Sequence, residues 1–161
     1  EDLFIKAKNT GTYRILNTAP ALKISKNLIH ETDLLVMNEP ELENLTERTL
    51  ERQNADSIGQ AIKDLNLSTT QSVVVTLGSK GAYVHDDQKG QLIEGHKVEA
   101  VDTTGSGDCF IGALASHYLE SKDLLDSVNF ANKAAALSVM KKGASASMPS
   151  MEEVVNFHQI T

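Results

Sequence analysis

Two kinds of apolar pattern alternate along this chain. Short continuous runs, the most β-branched of which covers residues 72–77, predict buried strands. Longer stretches, in which Ile58, Ile62 and Leu65 recur at helical spacing, predict amphipathic helices. The strands are predicted at residues 13–17, 34–37, 72–77, 82–85 and 91–93. The helices are predicted at residues 1–8, 41–50, 55–67, 110–120, 124–141 and 151–159.

Strands that alternate with helices are typical of an α/β fold with a mostly parallel sheet, because a crossover helix returns the chain to the same end of the sheet. Turn residues at 78–81 and 87–90 interrupt this order and predict an antiparallel meander in the middle of the chain. The charged residues at 47–52 predict a solvated helix face with i,i+4 pairs. The chain starts inside a helical pattern without an initiator Met, which indicates a fragment.

Composition and charge argue against several kinds of partner. A net charge of -7 and a pI near 5.2 do not supply the clustered positive charge that a nucleic acid or an anionic membrane surface requires. The apolar runs are far shorter than the ~20 residues of a membrane span, and no signal peptide pattern is visible. Cys109 is the single cysteine, so we expect a buried thiol in an intracellular, reducing setting.

Residues 101–108 hold the candidate chemistry and read VDTTGSGD between a predicted strand and an apolar helix. Gly105 and Gly107 permit a tight turn in which backbone N–H groups point into one concavity. A helix that begins near Ser106 adds free N–H groups and the positive end of its dipole. These features predict a phosphate site, beside which Asp108 could accept a proton from a hydroxyl. The loop is not a Walker A motif, because no Gly-Lys-Ser/Thr follows.

Two acidic positions also have structural interpretations. Asp108 is a residue type that often caps a helix, and spacing alone favours that role. Asn38 and Glu41 have the spacing of a capping box, which spacing alone again favours. For Asn38 and Glu41 the structural and the functional role are compatible.

Three motifs together resemble the ribokinase-like (PfkB) family of carbohydrate and nucleoside kinases. Residues 102–108, DTTGSGD, resemble the family's D-T-x-G-A-G-D signature, with Ser106 in place of the usual alanine. Residues 38–41, NEPE, are similar to its N-x-x-E motif, and residues 76–81, TLGSKG, to its T-L-G-x-x-G turn. The resemblance implies a three-layer α/β/α fold. It covers the chain from residue 13 onward, but only about the C-terminal half of the family's length.

The resemblance implies a reaction. Asp108 would be the catalytic base for a substrate hydroxyl, and Gly105, Ser106 and Gly107 would stabilise the phosphoryl group in transfer. Glu41 would act on Mg²⁺ through water. Asn38 would lie near the phosphates of ATP.

The resemblance also implies nucleotide and cation contacts. The further residues expected at ATP are Thr76, Gly78, Ser79, Gly81 and Asn132. A monovalent cation, usually potassium, would lie between two loops. One loop carries Asp102, whose negative charge beside an anion site would need a compensating cation. The residues implied for this cation, several through backbone carbonyls, are Asp102, Thr104, Ser138, Lys141, Gly143 and Ser147.

Residues 17–21, NTAPA, resemble the N-x-A-P-A segment of the ribose-specific branch of the family, whereas fructokinases tend to carry an Asp-Pro-Asn type of segment. This favours phosphorylation of the 5-hydroxyl of D-ribose by ATP. Another sugar or nucleoside kinase of the family and a non-catalytic nucleotide-binding fragment remain the alternatives.

Family members bind sugar mainly through an N-terminal half and a β lid, neither of which is present in these 161 residues. We therefore expect residues 1–161 to form one partial domain, the nucleotide-binding half, which is inactive or nearly so by itself. The resemblance implies that the parent protein is a homodimer through the lid. It is expected in the cytoplasm, or in the nucleus of a eukaryote.

Overall fold

The computed structural model describes residues 1–20 and 23–157. The helices are α1 (Asp2–Lys8), α2 (Lys26–His30), α3 (Glu39–Thr46), α4 (Ala55–Asp64), α5 (Ser106–Ser121), α6 (Leu124–Val139) and α7 (Met151–Val155). The strands are β1 (Ile15–Asn17), β2 (Leu34–Asn38), β3 (Ser72–Thr76), β4 (Gly81–Asp86) and β5 (Lys89–Glu94). Among the α-helices and strands of these residues, α2 alone was not predicted. The predicted end of the last helix, at residues 158 and 159, lies outside the described residues.

The five strands form one sheet in the order β1-β2-β3-β4-β5. The pairs β1–β2 and β2–β3 are parallel. Asp87 and Gln88 join β4 to β5 and both have positive φ, 46° and 62°. A two-residue turn of this kind matches the twist of a hairpin. Strands β3, β4 and β5 are neighbours in chain order with short connections, as the predicted antiparallel meander requires. The α/β prediction is confirmed.

Strand β1 lies at one edge of the sheet. The carbonyl of Arg14 accepts the N–H of Leu34, and the N–H of Thr18 donates to Val36. Backbone groups alternate sides along a strand. The N–H and C=O groups of Ile15 and Asn17 therefore face away from β2.

The chain divides into two compact units. The first contains Glu1–Leu77 and Tyr83–Leu92, and the second contains Gly78–Ala82 and the residues from Ile93 onward. The prediction of one partial domain stays a prediction. No described helix combines the length and the apolar character that a bilayer span requires.

The core of the first unit is built on β2 and β3. Leu34, Leu35, Val73 and Val74 are fully buried, as expected for parallel strands covered on both faces. Helix α4 packs Ile58 into this core, as its spacing predicted. Further core residues of this unit are Ile29, Met37, Leu42, Leu50, Ala61, Ile62, Val75, Leu77 and Tyr83.

The predicted extension of α3 to residue 50 is wrong. The helix ends at Thr46, because Glu47 adopts the left-handed conformation with φ 54°. The arginines that follow pair with residues outside their own segment. Arg48 bonds to Asp64 at 2.8 Å, and Arg52 bonds to Glu43 at 2.7 Å. These ion pairs therefore stabilise a loop, whereas the sequence predicted a solvated helix face.

The second unit contains the packed helices α5 and α6. Cys109, Ala134 and Val154 form a small core there. Burial raises the pKa of the Cys109 thiol, against a smaller opposing effect of the Ser138 hydroxyl. Cys109 is therefore a protonated core residue at neutral pH, as predicted.

Candidate functional site

The corner between β2 and α3 carries the first predicted group. The Asn38 side chain accepts the N–H of Glu41 at 2.9 Å, and the Glu41 carboxylate accepts the N–H of Asn38 at 2.9 Å. These reciprocal bonds form a capping box. The structural interpretation of this pair is confirmed. It fixes both side chains where β2 ends.

Glu41 is buried, with 6% of its surface exposed. Its Oε2 atom also accepts the hydroxyl of Thr18 at 3.0 Å, from the end of β1. Within the described residues, Oε1 has no hydrogen-bond donor, so one carboxylate oxygen is available. Hard oxygen donors suit Mg²⁺, so Glu41 fits the role that the family resemblance implies.

Thr18 was missed as a site residue from the sequence. The signal that could have found it is its position after β1. Carboxyl ends of adjacent parallel strands meet at one edge of the sheet, so the residue after β1 approaches the residue after β2. Thr76 reaches the same edge, since it pairs in register with Asn38. Its hydroxyl donates to the Met37 carbonyl at 3.4 Å.

The predicted nucleotide turn begins the second unit as a 3₁₀ turn over Gly78–Lys80. Gly78 and Ser79 are exposed. Gly81 has φ 97°, and a Cβ there would lie 2.1 Å from the Ile93 carbonyl oxygen. Packing alone therefore requires glycine at 81. A nucleotide contact by this turn stays a prediction.

Helix α5 begins without a side-chain cap. Gly105 is its N-cap residue in the left-handed conformation, φ 77°. The Ser106 N–H donates to the Thr103 carbonyl at 3.2 Å. In the part of the chain that the structure describes, the N–H groups of Gly105, Gly107 and Asp108 have no hydrogen-bond acceptor. Free donors at a helix N-terminus favour an anion.

Asp108 is the third residue of α5, and its side chain is exposed. The interpretation of Asp108 as a helix cap is wrong, because Gly105 holds the cap position and no side chain bonds there. Within residues 1–20 and 23–157 the Asp108 carboxylate makes no hydrogen bond. The carboxylate is therefore available to a ligand.

Asp102 ties its loop to the loop after α6. Its carboxylate accepts the N–H of Gly143 at 2.9 Å and the N–H of Thr104 at 3.0 Å. The bonds from Gly143 and then Thr104 lower the pKa of Asp102 to about 2. The carboxylate is thus charged and already stabilised by backbone donors. A cation is compatible with this site, but the carboxylate does not require one.

The side chains of the other predicted cation residues are engaged within their own unit. The hydroxyl of Ser138 donates to the Ala135 carbonyl at 2.8 Å, and that of Ser147 donates to the Ala144 carbonyl at 2.8 Å. The Lys141 ammonium pairs with Glu153 at 2.8 Å. Lys141 could therefore offer a cation only its backbone carbonyl, whereas the two serine oxygens keep lone pairs while they donate. Among the described residues, no cluster of three or more His, Cys, Asp or Glu could hold a metal ion.

Asn132 is buried in α6, with 7% of its surface exposed. Its amide donates to the carbonyls of Ile93 and Glu94, both at 3.3 Å. An asparagine in an alanine-rich helix is more often exposed, but Asn132 is not. Asn132 holds the end of β5 against α6, and a contact with adenine stays a prediction.

Comparison with known proteins decides the family. The model of the pfkB family of carbohydrate kinases matches residues 1–151. This chain belongs to that family. The ribokinase of Haemophilus influenzae is 38% identical over 152 residues, which are 94% of this chain and 49% of that protein.

Solved structures of the family agree in fold. The Arabidopsis thaliana ribokinase complexed with ribose and ATP is 31% identical and superimposes with a TM-score of 0.87. The match covers 97% of this chain and 51% of the Arabidopsis chain. A Vibrio cholerae fructokinase double mutant, with fructose, ADP and a potassium ion bound, matches 97% of this chain and 53% of its own with a TM-score of 0.80 at 29% identity. The chain spans about half the length of these relatives.

A cavity of about 330 Å³ opens beside Asp108 in the second unit of this pfkB-family chain. Its lining is Asp108, Cys109, Gly112, Ala113, Ser116, Phe130, Ala134, Met148, Pro149, Met151 and Val154. Among the described lining residues, only Asp108 and Ser116 carry exposed polar side chains. A sugar needs several convergent hydrogen-bonding groups, and this wall does not supply them.

Proposed function

We propose that the chain is the nucleotide-binding half of an ATP-dependent ribokinase, which transfers the γ-phosphoryl group of ATP to the 5-hydroxyl of D-ribose. The observation that carries this proposal is the start of α5, where an exposed carboxylate without a partner accompanies three free N–H groups. Relatives that are called ribokinases support ribose as the acceptor. So does the NTAPA segment, of which Thr18 contacts Glu41 and residue 21 lies outside the described part.

In this mechanism Asp108 accepts the proton of the sugar hydroxyl as that oxygen attacks phosphorus. The N–H groups of Gly105 and Gly107, with Ser106 between them, stabilise the charge on the equatorial phosphoryl oxygens. Phosphoryl transfer depends mainly on positioning and electrostatic stabilisation. The backbone groups need no reorganisation, because Gly105 already holds the turn open.

Further contacts to the nucleotide come from Thr76, Gly78, Ser79, Gly81 and Asn132. Glu41 would hold Mg²⁺ through water, using the carboxylate oxygen that the capping box leaves available, and Asn38 would lie near the phosphates. Mg²⁺ supplies charge neutralisation at the phosphates when bound. The potassium named in the fructokinase structure would have its counterpart here between Asp102 and Thr104 on one loop and Ser138, Lys141, Gly143 and Ser147 on the other, several of them through backbone carbonyls.

We expect little or no sugar turnover by the 161 residues alone, because the wall beside Asp108 is apolar. The parent protein would be a cytoplasmic homodimer that supplies the sugar contacts and the lid from elsewhere. The same apolar wall favours a second candidate function for this chain, nucleotide binding without catalysis. Phosphorylation of another sugar or of a nucleoside remains the alternative for the parent.

The experiment measures ADP release from ATP and Mg²⁺ with D-ribose, with D-fructose and with no sugar, each with and without potassium. It is run on this chain and on any longer form that the gene encodes. Ribose-dependent release by the longer form, raised by potassium, is the expected result. If this chain binds ADP but produces none from ATP, the non-catalytic function is identified. If neither form produces ADP with ribose, the ribokinase proposal is contradicted.

A further inference from the structure

Gln53 lies in the loop between α3 and α4 and adopts the left-handed conformation, φ 57°. The loop is anchored to the first unit. Leu50 is buried in its core, and the Leu50 N–H donates to Glu43 at 2.9 Å. Asn54 ends the loop as the N-cap residue of α4. The position of Gln53 is therefore defined from both sides.

Gln53 bonds to the ends of two neighbouring strands. Its backbone N–H donates to the Glu39 carboxylate at 2.6 Å, and its side-chain amide donates to the Leu77 carbonyl at 3.4 Å. Glu39 is buried, with 8% exposed, and it follows the end of β2. Leu77 follows the end of β3. Gln53 therefore connects the NEPE motif with the TLG motif.

The bond to Leu77 has a consequence for the next residue. The Leu77 carbonyl and the Gly78 N–H belong to one planar peptide group, in which they point in opposite directions. A carbonyl held by Gln53 therefore fixes the direction of the Gly78 N–H, which is opposite to that of the carbonyl. Nothing lies within 4 Å of where a Cβ of Gly78 would be. Within the described residues this N–H has no acceptor.

We infer that Gln53 is a positioning residue for nucleotide binding: it orients the Leu77–Gly78 peptide so that the Gly78 N–H faces the nucleotide, and Glu39 holds Gln53 in place. This inference rests on the proposed contact between the nucleotide and the Gly78 turn. It adds a residue outside the three family motifs, in a loop whose role the sequence pattern did not reveal.

The test uses Gln53→Met in the 161-residue chain, because Met keeps the length of the side chain and removes the amide. Gln88→Met is the matched control, since Gln88 is also exposed and left-handed, φ 62°. Backbone ¹H–¹⁵N spectra are recorded during titration with ADP. We expect Gln53→Met to weaken ADP affinity about fivefold, the size of one net hydrogen bond, and to shift the Gly78 amide signal before ADP is added. Gln88→Met should do neither.

Unchanged ADP affinity and an unchanged Gly78 signal in Gln53→Met would overturn the inference. Weaker affinity together with a general loss of signal dispersion would also overturn it, since that pattern belongs to a merely structural role. If ADP shifts no signal in the unmodified chain, the proposed nucleotide role fails. In that case the Gly78 signal of ADP-free Gln53→Met still decides whether Gln53 orients the peptide.

Discussion

Helices α3 and α5 both carry an acidic residue at their third position, yet the two carboxylates are in opposite situations. In α3 the N-cap is Asn38, and Glu41 folds back to close the capping box. In α5 the N-cap is Gly105, which has no side chain, and Asp108 stays exposed without a bond in the described structure. The cap residue thus decides whether the carboxylate is engaged.

The comparison separates two uses of one helical position. In α3 the Asn38 side chain and the Glu41 carboxylate both bond to the backbone of the helix start. This fixes Glu41 and leaves one of its carboxylate oxygens for a water or an ion. In α5 the Gly cap leaves the N–H groups of Gly107 and Asp108 and the Asp108 carboxylate without a partner among the described residues. Such a turn is less well satisfied by itself, and a ligand that brings negative charge and a hydroxyl complements it.

The largest effect is expected from Asp108→Asn in the longer form of the protein. Asparagine keeps the size of the side chain but accepts no proton, so ribose-dependent ADP release should fall at least ~10²-fold. The rate is measured at saturating ATP and ribose. The matched control is Asp126→Asn, an exposed acid of α6. Near-normal turnover by Asp108→Asn would remove Asp108 from the mechanism.

Gly105→Ala tests whether the cap position of α5 requires glycine. An alanine at φ 77° is strained, and its Cβ would lie 3.1 Å from that of Ala144. We expect the free energy of unfolding to fall by about 1–2 kcal/mol, measured by urea denaturation. Gly107→Ala is the control, because nothing lies within 4 Å of its Cβ position. Equal effects of the two substitutions would refute the special role of Gly105.

Asn38→Ala opens the capping box of α3. The Glu41 carboxylate should then be held less firmly, as the unbonded Asp108 carboxylate is. Loss of an Asn cap costs about 1 kcal/mol of unfolding free energy, and urea denaturation again measures it. Ser150→Ala removes the same motif from α7 and serves as the comparison. A similar loss is expected only if α7 unfolds together with the rest. An Asn38→Ala variant as stable as the unmodified chain would show that the box is dispensable.

The smallest effect concerns acid stability through Asp102. Its pKa of about 2 lies below the ordinary value of 3.8, so folding favours the charged form. The stabilisation is present above the ordinary pKa and is lost as the pH falls from about 4 through about 2. Asp102→Asn should therefore lose less stability than the unmodified chain over this range. A carboxyl ¹³C titration of Asp102 with a midpoint near 4 would contradict the prediction.

Local patterns in the sequence were sufficient for much of the fold. The strands at 34–37 and 72–77 were predictable because a parallel strand covered on both faces must be apolar throughout. The capping box of Asn38 and Glu41 was predictable because both partners lie within four residues. The family motifs located the start of α5, but residue type alone favoured Asp108 as a cap. That interpretation failed because the helix begins at Ser106, two residues before Asp108.

Contacts between distant residues could not be predicted from such patterns. The bond between Thr18 and Glu41 depends on the alignment of β1 with β2. The burial of Asn132 depends on two carbonyls that precede it by 39 and 38 positions. The end of α3 at Thr46 depends on a backbone conformation at Glu47 that its residue type does not favour. The cation and nucleotide roles of the second unit still rest on the family resemblance.

The edge strand β1 bears on how the chain behaves as its concentration rises. Of the described strand residues, Ile15 and Asn17 turn their N–H and C=O groups outward, as established by the bonds of Arg14 and Thr18 to β2. Two residues can template at most four backbone hydrogen bonds with another polypeptide. An isolated strand pair of that length is too weak to persist in water. Self-association through this edge would therefore be reversible on dilution rather than seed a growing fibril.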